Sequence, residues 1–308
     1  MGFEFTDRHI EEFHTQGYTV FRDLLPPPLL RDLRVQAERA RPAAYQSRGA
    51  NAQRLQPFQP HVDFHPFEAL WEFPPLLKAL REIFGNDQEM KLDGDAILYE
   101  PGGSPYCMCW HRDYRDLWPG LDVHKWERLI HDPRLFNQTN IALYDDGCLW
   151  VVPGSHLRRD TPQEIRRFPD RPLIEPDVSR MNPEEAEYAC REYVLSMPGA
   201  QQAWLNAGDF MCYRNTLWHI GNYVPYAKRA TIHGSIVTPE YADFVIKDFM
   251  PFVDPAGGPH KFTNLNAGTP AYREVYVRML AQRYWRKLNN LPRRVARRLT
   301  HVFSPAQR

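Results

Sequence analysis

No stretch of this sequence is apolar for the roughly 20 residues that a membrane-spanning helix needs, and its opening, Met1-Gly2-Phe3-Glu4-Phe5, lacks the basic-then-apolar pattern of a secretory leader. An excess of one charge is equally missing: 38 Lys and Arg offset 38 Asp and Glu, which removes any electrostatic case for a nucleic-acid partner. Cysteine is scarce and odd in number, five in all without regular spacing, so a reducing compartment is expected rather than a disulfide framework. Neither an internal repeat nor a low-complexity linker is present, so nothing marks a two-domain split. These absences leave the expectation of one soluble domain in the cytoplasm. Gly2 and Thr6 formally fit a Met-Gly-x-x-x-Thr myristoylation pattern, but a motif that short carries little information.

What the chain does have is 43% hydrophobic residues over 308 positions, enough to fill a core, and an organisation visible in its turn residues. Positions 1–95 read as helix-rich. Apolar spacing predicts helices over Asp7 to Gln16 with Asp7 as cap, over Pro27 to Ala40, and over Pro74 to Phe84, closed by Gly85. From Ala96 onward, short β-prone runs recur between Pro, Gly and Asn/Asp turns, with 96–157 as the first half of a sheet structure and 206–240 as the second. The expected fold is mainly β with flanking helices, a double-stranded β-helix (jelly roll) in a single domain over 1–308. Between its halves, 158–205 is Pro-rich and charged, with one helix expected from Pro183 to Tyr193. So long a connection reads as a lid or specificity region, or else as a solvated insertion. The last stretch, 241–308, ends in a basic helix: Val275 to Arg308 holds nine Lys or Arg and no acid, with Tyr276, Met279, Leu280, Tyr284 and Leu288 at helical spacing. Such a helix usually packs one face on the body, and its basic face offers a weak contact to anionic surfaces at most.

The residues that carry chemistry begin at Trp110-His111-Arg112-Asp113. Side chains at i and i+2 of an extended strand share a face, so His111 and Asp113 can reach one ion. His219, from a distant strand, is the best third ligand. Two imidazoles and one carboxylate leave the opposite positions of an ion open, the arrangement with which non-haem Fe(II) binds a co-substrate and O2. Spacing alone is weak, since His61-Val62-Asp63 shows it too; that pair sits in a proline-broken stretch and reads as loop or lid. Ten residues after His219 comes Arg229-Ala230-Thr231, again an i, i+2 pair. A guanidinium fork matches a carboxylate bidentately and a neighbouring hydroxyl donates to the same anion, so the pair reads as a clamp for the far carboxylate of 2-oxoglutarate. An ordinary strand arginine paired with an acid is the plainer alternative.

With these residues the chain resembles the phytanoyl-CoA dioxygenase family of Fe(II)/2-oxoglutarate-dependent oxygenases from about Phe5 to about Val237. The resemblance rests on Phe13-His14-Thr15-Gln16-Gly17-Tyr18, on Cys148-Leu149-Trp150-Val151-Val152-Pro153-Gly154-Ser155-His156, and on Ala207-Gly208-Asp209-Phe210. It implies that His111, Asp113 and His219 bind iron, and that Arg229 with Thr231 binds the co-substrate. Tyr99 and Asn140 lie nearest to two further polar positions that relatives use to hold it. Glu100 departs from a lysine frequent in the family, and Gly221 from a frequent serine. Retention of Asp113, which halogenating relatives lack, implies hydroxylation with succinate and CO2 as co-products. Arg112, Arg115, Trp118 and Trp126 flank the metal motif and, with His233, are candidate substrate contacts. Cys109 shares strand parity with His111 and is a candidate pocket residue, though not a ligand. Two other readings stay open: a different metal running a non-oxidative reaction such as isomerisation on the same fold, and a catalytically silent binding protein.

Overall fold

Thr6 and Gly17 bracket the first helix, α1 (Asp7–Gln16). Thr6, not Asp7, is the N-cap: its amide donates to His9 Nδ1 at 3.0 Å while its carbonyl accepts from the His9 amide at 3.0 Å. Asp7 sits in the first turn, where a carboxylate favours the positive end of the helix dipole. Gly17 is required twice over, by its φ of 84° and because a Cβ there would lie 2.6 Å from His156 Nδ1.

The computed structural model describes residues 2–48, 54–55, 62–85, 90–113, 115–116, 123–169, 173–238 and 240. The basic tail, His61 and Trp118 lie outside them. After α1 come β1 (Tyr18–Phe21), α2 (Pro27–Arg48), β2 (Arg54–Leu55), α3 (His65–Trp71), α4 (Pro74–Phe84), β3 (Lys91–Tyr99), β4 (Tyr106–Cys107) and α5 (Val123–Leu129). There follow β5 (Gln138–Ala142), β6 (Leu149–Val151), a 3-10 turn at Ser155–Leu157, α6 (Pro162–Arg167), α7 (Pro183–Leu195), β7 (Gln201–Gln202), β8 (Phe210–Tyr213), β9 (His219–Tyr223) and β10 (Ala230–Val237). The strands form two antiparallel sheets, one of six in the order β1-β8-β5-β10-β3-β2 and one of four in the order β4-β9-β6-β7. Among the described residues no helix is long and apolar enough to cross a membrane.

Three apolar clusters hold these layers. The N-terminal helices bury Phe13, Leu33, Phe67 and Leu80 against Phe21, Ile97, Phe210 and Ile232 of the six-stranded sheet. Phe13 meets Phe84 edge-on at 5.2 Å and Phe21 stacks on Phe210 at 5.3 Å, pairings that add specificity to the area buried. A second cluster joins strands of both sheets through Leu149, Val151, Met211 and Tyr213. In the third, α7 lays Cys190 and Val194 on Cys107, Trp110, Trp218 and Ile220, the outer face of the four-stranded sheet.

The connection 158–205 therefore packs α7 on the outside of that sheet. It also contains a helix beyond the one expected, α6, whose Thr161 side chain accepts from the Glu164 amide at 3.2 Å while Glu164 accepts from the Thr161 amide at 2.7 Å. Thr161-Pro162-Gln163-Glu164 is a capping box with proline at the first helical position, a signal readable from sequence.

The Pro-Gly-Ser-His turn is a structural clasp. Ser155 Oγ accepts from the Trp218 amide at 2.9 Å, and His156 Nε2 lies 3.2 Å from the His14 carbonyl, to which it donates. Burial, then the Arg214 guanidinium, holds His156 down at about 4. Because an imidazole in the unfolded chain titrates near 6.5, acidification protonates the unfolded state first. The stabilising share of His156 is complete above about 6.5 and is lost as pH falls toward 4. Thermal melts across that window should show a falling midpoint, and His156→Asn should flatten the fall.

Candidate metal centre

The two-residue repeat of a strand puts His219, Gly221 and Tyr223 on one face of β9, and all three line a cavity of about 340 Å³ between the sheets. His111 arrives opposite His219 by a departure from that repeat. Cys107 pairs with Asn222 and His111 with His219, so four steps along one chain face three along the other. The extra residue makes a β-bulge, which turns His111 inward. Cys109, which simple alternation would set beside His111 in the cavity, packs outward with Cys107 and Trp110 instead.

The two histidines exchange both backbone hydrogen bonds, at 3.1 and 3.0 Å, and their rings lie 4.2 Å apart. Each Nδ1 is 2.8 Å from the carbonyl two residues earlier, that of Cys109 for His111 and Leu217 for His219. A carbonyl only accepts, so each Nδ1 must donate and each Nε2 keeps its lone pair for a metal. Asp113 Oδ1 faces both, 3.6 Å from His111 Nε2 and 4.0 Å from His219 Nε2. One ligand atom from each residue lies within 4.8 Å of the others, the one such His/Cys/Asp/Glu cluster among the described residues. Burial, then the neighbouring His111, lowers His219 to about 4, so it is neutral at pH 7 as metal binding requires.

Asp113 is aimed by partners outside the triad. Gln138 Nε2 donates to its Oδ2 at 2.6 Å, and the Tyr213 hydroxyl donates to Gln138 Oε1 at 2.6 Å. The Asp113 amide donates to Asn215 O at 2.9 Å and its carbonyl accepts from Trp126 Nε1 at 3.3 Å. Gln138→Leu should therefore weaken Fe(II) binding roughly 10–100-fold, the usual cost of losing an outer partner of a ligand. Anaerobic Fe(II) titration against an unchanged melting temperature checks it. Gln138 was detectable from sequence, since it stands two residues before Asn140 on the same strand face.

At the other end of the cavity Arg229 is buried, 5% exposed, with its Nε donating to Asp146 Oδ2 at 2.8 Å. Thr231 Oγ1 donates to the same oxygen at 2.5 Å, and the Cys148 amide donates to Asp146 Oδ1 at 2.9 Å. Burial alone would raise the Asp146 carboxyl, but Arg229 and these donors more than reverse it and hold it below its ordinary value. Asp146 correspondingly holds Arg229 in its charged form against burial. Nη1 and Nη2 of Arg229 make no hydrogen bond within the described residues, so the fork that would grip a carboxylate is left for a ligand.

The remaining expected positions divide. Asn140 and His233 line the cavity as a cross-strand pair, His233 Nδ1 lying 2.8 Å from Asn140 Oδ1. Tyr99 also lines it, but its hydroxyl donates to the Ala37 carbonyl at 2.8 Å and so points away toward α2. Arg112 is fully buried behind the metal motif, donating to the carbonyls of Ser155 and Thr216 and to Asp160. Arg115 pairs with Asp116 and Asp160, each at 2.9 Å, and does not line the cavity. Neither arginine offers a free fork to substrate there. Glu100 accepts from Arg41 at 2.5 Å and from the Arg229 amide at 2.8 Å, tying α2 to the strand that bears Arg229. None of the described residues of 158–205 lines the cavity.

Two imidazole nitrogens, one carboxylate oxygen and a buried guanidinium across one cavity fit Fe(II) and 2-oxoglutarate, and define an Fe(II)/2-oxoglutarate-dependent enzyme. The sequence profile of the phytanoyl-CoA dioxygenase (PhyH) family matches residues 13–222, and the chain belongs to that family. Among solved structures it is similar to HygX from Streptomyces hygroscopicus with nickel and 2-oxoglutarate bound, at 15% identity and a TM-score of 0.50 over 77% of this chain and 88% of that one. It is similar to AviO1 from Streptomyces viridochromogenes Tue57, at 18% identity and a TM-score of 0.48 over 76% and 95%. The epimerase SnoN in complex with Fe3+, alpha ketoglutarate and nogalamycin RO matches at 15% identity and a TM-score of 0.49 over 86% and 94%. No curated protein gives a significant match.

Proposed function

We propose that the protein is a single oxygenase domain that hydroxylates an unactivated C–H bond of a small molecule, with 2-oxoglutarate and O2 consumed and succinate and CO2 released. The observation that supports this best is the convergence of His111, Asp113 and His219 at one end of a cavity whose other end holds Arg229. In this reading the two sheets are the halves of a double-stranded β-helix around that cavity. Iron and 2-oxoglutarate, when bound, supply the oxidising chemistry.

The chain supplies the rest. His111 and His219 present Nε2 lone pairs fixed by their Nδ1 donors, and Asp113 brings the one negative charge. Arg229 receives the distal carboxylate of the co-substrate, and Asp146 keeps it extended toward the cavity. Leu98, Met108 and Leu149 line the same space and exclude water around the reacting carbon. A volume of about 340 Å³ suits a compact substrate beside 2-oxoglutarate. Three intact protein ligands favour oxygen transfer as hydroxyl.

The test measures succinate per substrate consumed, with Fe(II), O2 or 2-oxoglutarate omitted in turn. Turnover that persists without 2-oxoglutarate and O2 would establish the non-oxidative alternative. Failure of the Fe(II)-loaded protein to bind 2-oxoglutarate at all would sink the oxygenase reading.

A further inference from the structure

The floor of the cavity between His219 and Arg229 is built in an unusual way. Gly221 follows His219 by two residues and so points into the cavity, yet the space where its side chain would stand is filled. A Cβ on Gly221 would lie 1.9 Å from Tyr223 Oη and 2.3 Å from its Cζ. The Tyr223 phenol thus folds back along its own strand toward His219 and occupies the place of the missing side chain. The ring packs there against Tyr106, its partner across β4 and β9, at 4.8 Å between ring centroids, and against the Arg229 guanidinium, 5.2 Å from the ring centroid. Tyr106 is itself pushed up by burial and then by Tyr223, so its phenol stays protonated at neutral pH.

We propose that Gly221 and Tyr223 form one co-substrate-binding unit, in which the bare Cα of Gly221 seats the Tyr223 hydroxyl as a donor to the same distal carboxylate that Arg229 grips. This rests on the oxygenase reading and deepens it. Gly221 lines the cavity together with His219 and Arg229, so a dicarboxylic keto acid spanning the metal ligands and Arg229 would pass the Tyr223 Oη seated there. Arg229 gives up Nε and Thr231 its hydroxyl to Asp146, so an uncharged donor from elsewhere is needed to complete the carboxylate's shell. The cation–π contact with Arg229 positions the ring and the fork together.

The experiment titrates the anaerobic Fe(II)-loaded protein with 2-oxoglutarate, and separately with 2-oxopentanoate, which has the same chain without the distal carboxylate. The visible charge-transfer band is the readout, so no substrate need be known. Tyr223→Phe, which keeps the ring, should weaken 2-oxoglutarate binding roughly 10-fold or more while leaving 2-oxopentanoate and Fe(II) affinities unchanged. Gly221→Ala should weaken 2-oxoglutarate binding at least as much, because the methyl group displaces the whole phenol. Equal loss for both keto acids in Tyr223→Phe, or no loss for either, would overturn the inference while leaving the oxygenase reading intact. Absence of the band in the unaltered protein would overturn both. Should Gly221→Ala unfold, Tyr223→Phe alone decides the outcome.

Discussion

Asp113→Ala is expected to lower 2-oxoglutarate turnover by far more than the ~100-fold that losing an outer-shell partner costs, because it removes a ligand rather than its support. Asp113 supplies the only carboxylate in the triad, so the variant leaves a divalent ion with two neutral imidazoles. It also strands Gln138 Nε2, whose present acceptor is Asp113 Oδ2 at 2.6 Å. Succinate formation under saturating Fe(II), together with an Fe(II) titration, separates loss of metal from loss of chemistry. Retention of a tenth of the turnover with metal bound would exclude Asp113 from the iron site.

The second large effect falls on stability. Asp146→Asn keeps the shape of the side chain but leaves the Arg229 guanidinium buried without its counter-charge. Breaking one partner of such a pair costs about 3–5 kcal/mol. Because the Asp146 carboxyl is held below its ordinary range, its contribution in the native protein is fully present above the unfolded value near 3.9 and is lost as pH falls below it. The variant should lack this acid-dependent component. A dicarboxylate that lands on Arg229 returns the missing charge, so succinate or 2-oxoglutarate should raise the melting temperature of Asp146→Asn more than that of the unaltered protein. Chemical denaturation measures the loss of stability, and thermal melts with and without succinate measure the ligand effect. Equal ligand-induced shifts would show that Arg229 does not receive the anion.

Much of the site was readable before any coordinates. His111 and Asp113 stand two residues apart and His219 follows on a distant strand, so the metal cluster could be named from types and intervals; Thr231, expected to donate to the co-substrate beside Arg229, gives its hydroxyl to Asp146 instead and does not line the cavity. Strand parity failed at Cys109 because a single extra residue in the pairing of β4 with β9 reverses the faces, and local sequence does not announce a bulge. The expected substrate contact at Arg112 was lost for another reason, because that side chain had a carbonyl-lined interior available behind the motif and took it. The capping of α6 and the position of Gln138 were legible but needed closer reading. Asp146 was not: nothing near it in sequence says that its partners stand 83 and 85 residues away.

The sequence by itself determined which donors this protein owns, because ligand chemistry is a property of residue type and strand spacing fixes which neighbours share a face. Only the tertiary structure decided what each donor is free to do. Hydrogen bonds saturate: Tyr99 spends its hydroxyl on Ala37 and Arg229 spends one edge on Asp146, while both iron-facing Nε2 atoms are kept open by carbonyls behind them. That allocation depends on which groups meet across the fold, and distance along the chain carries no record of it.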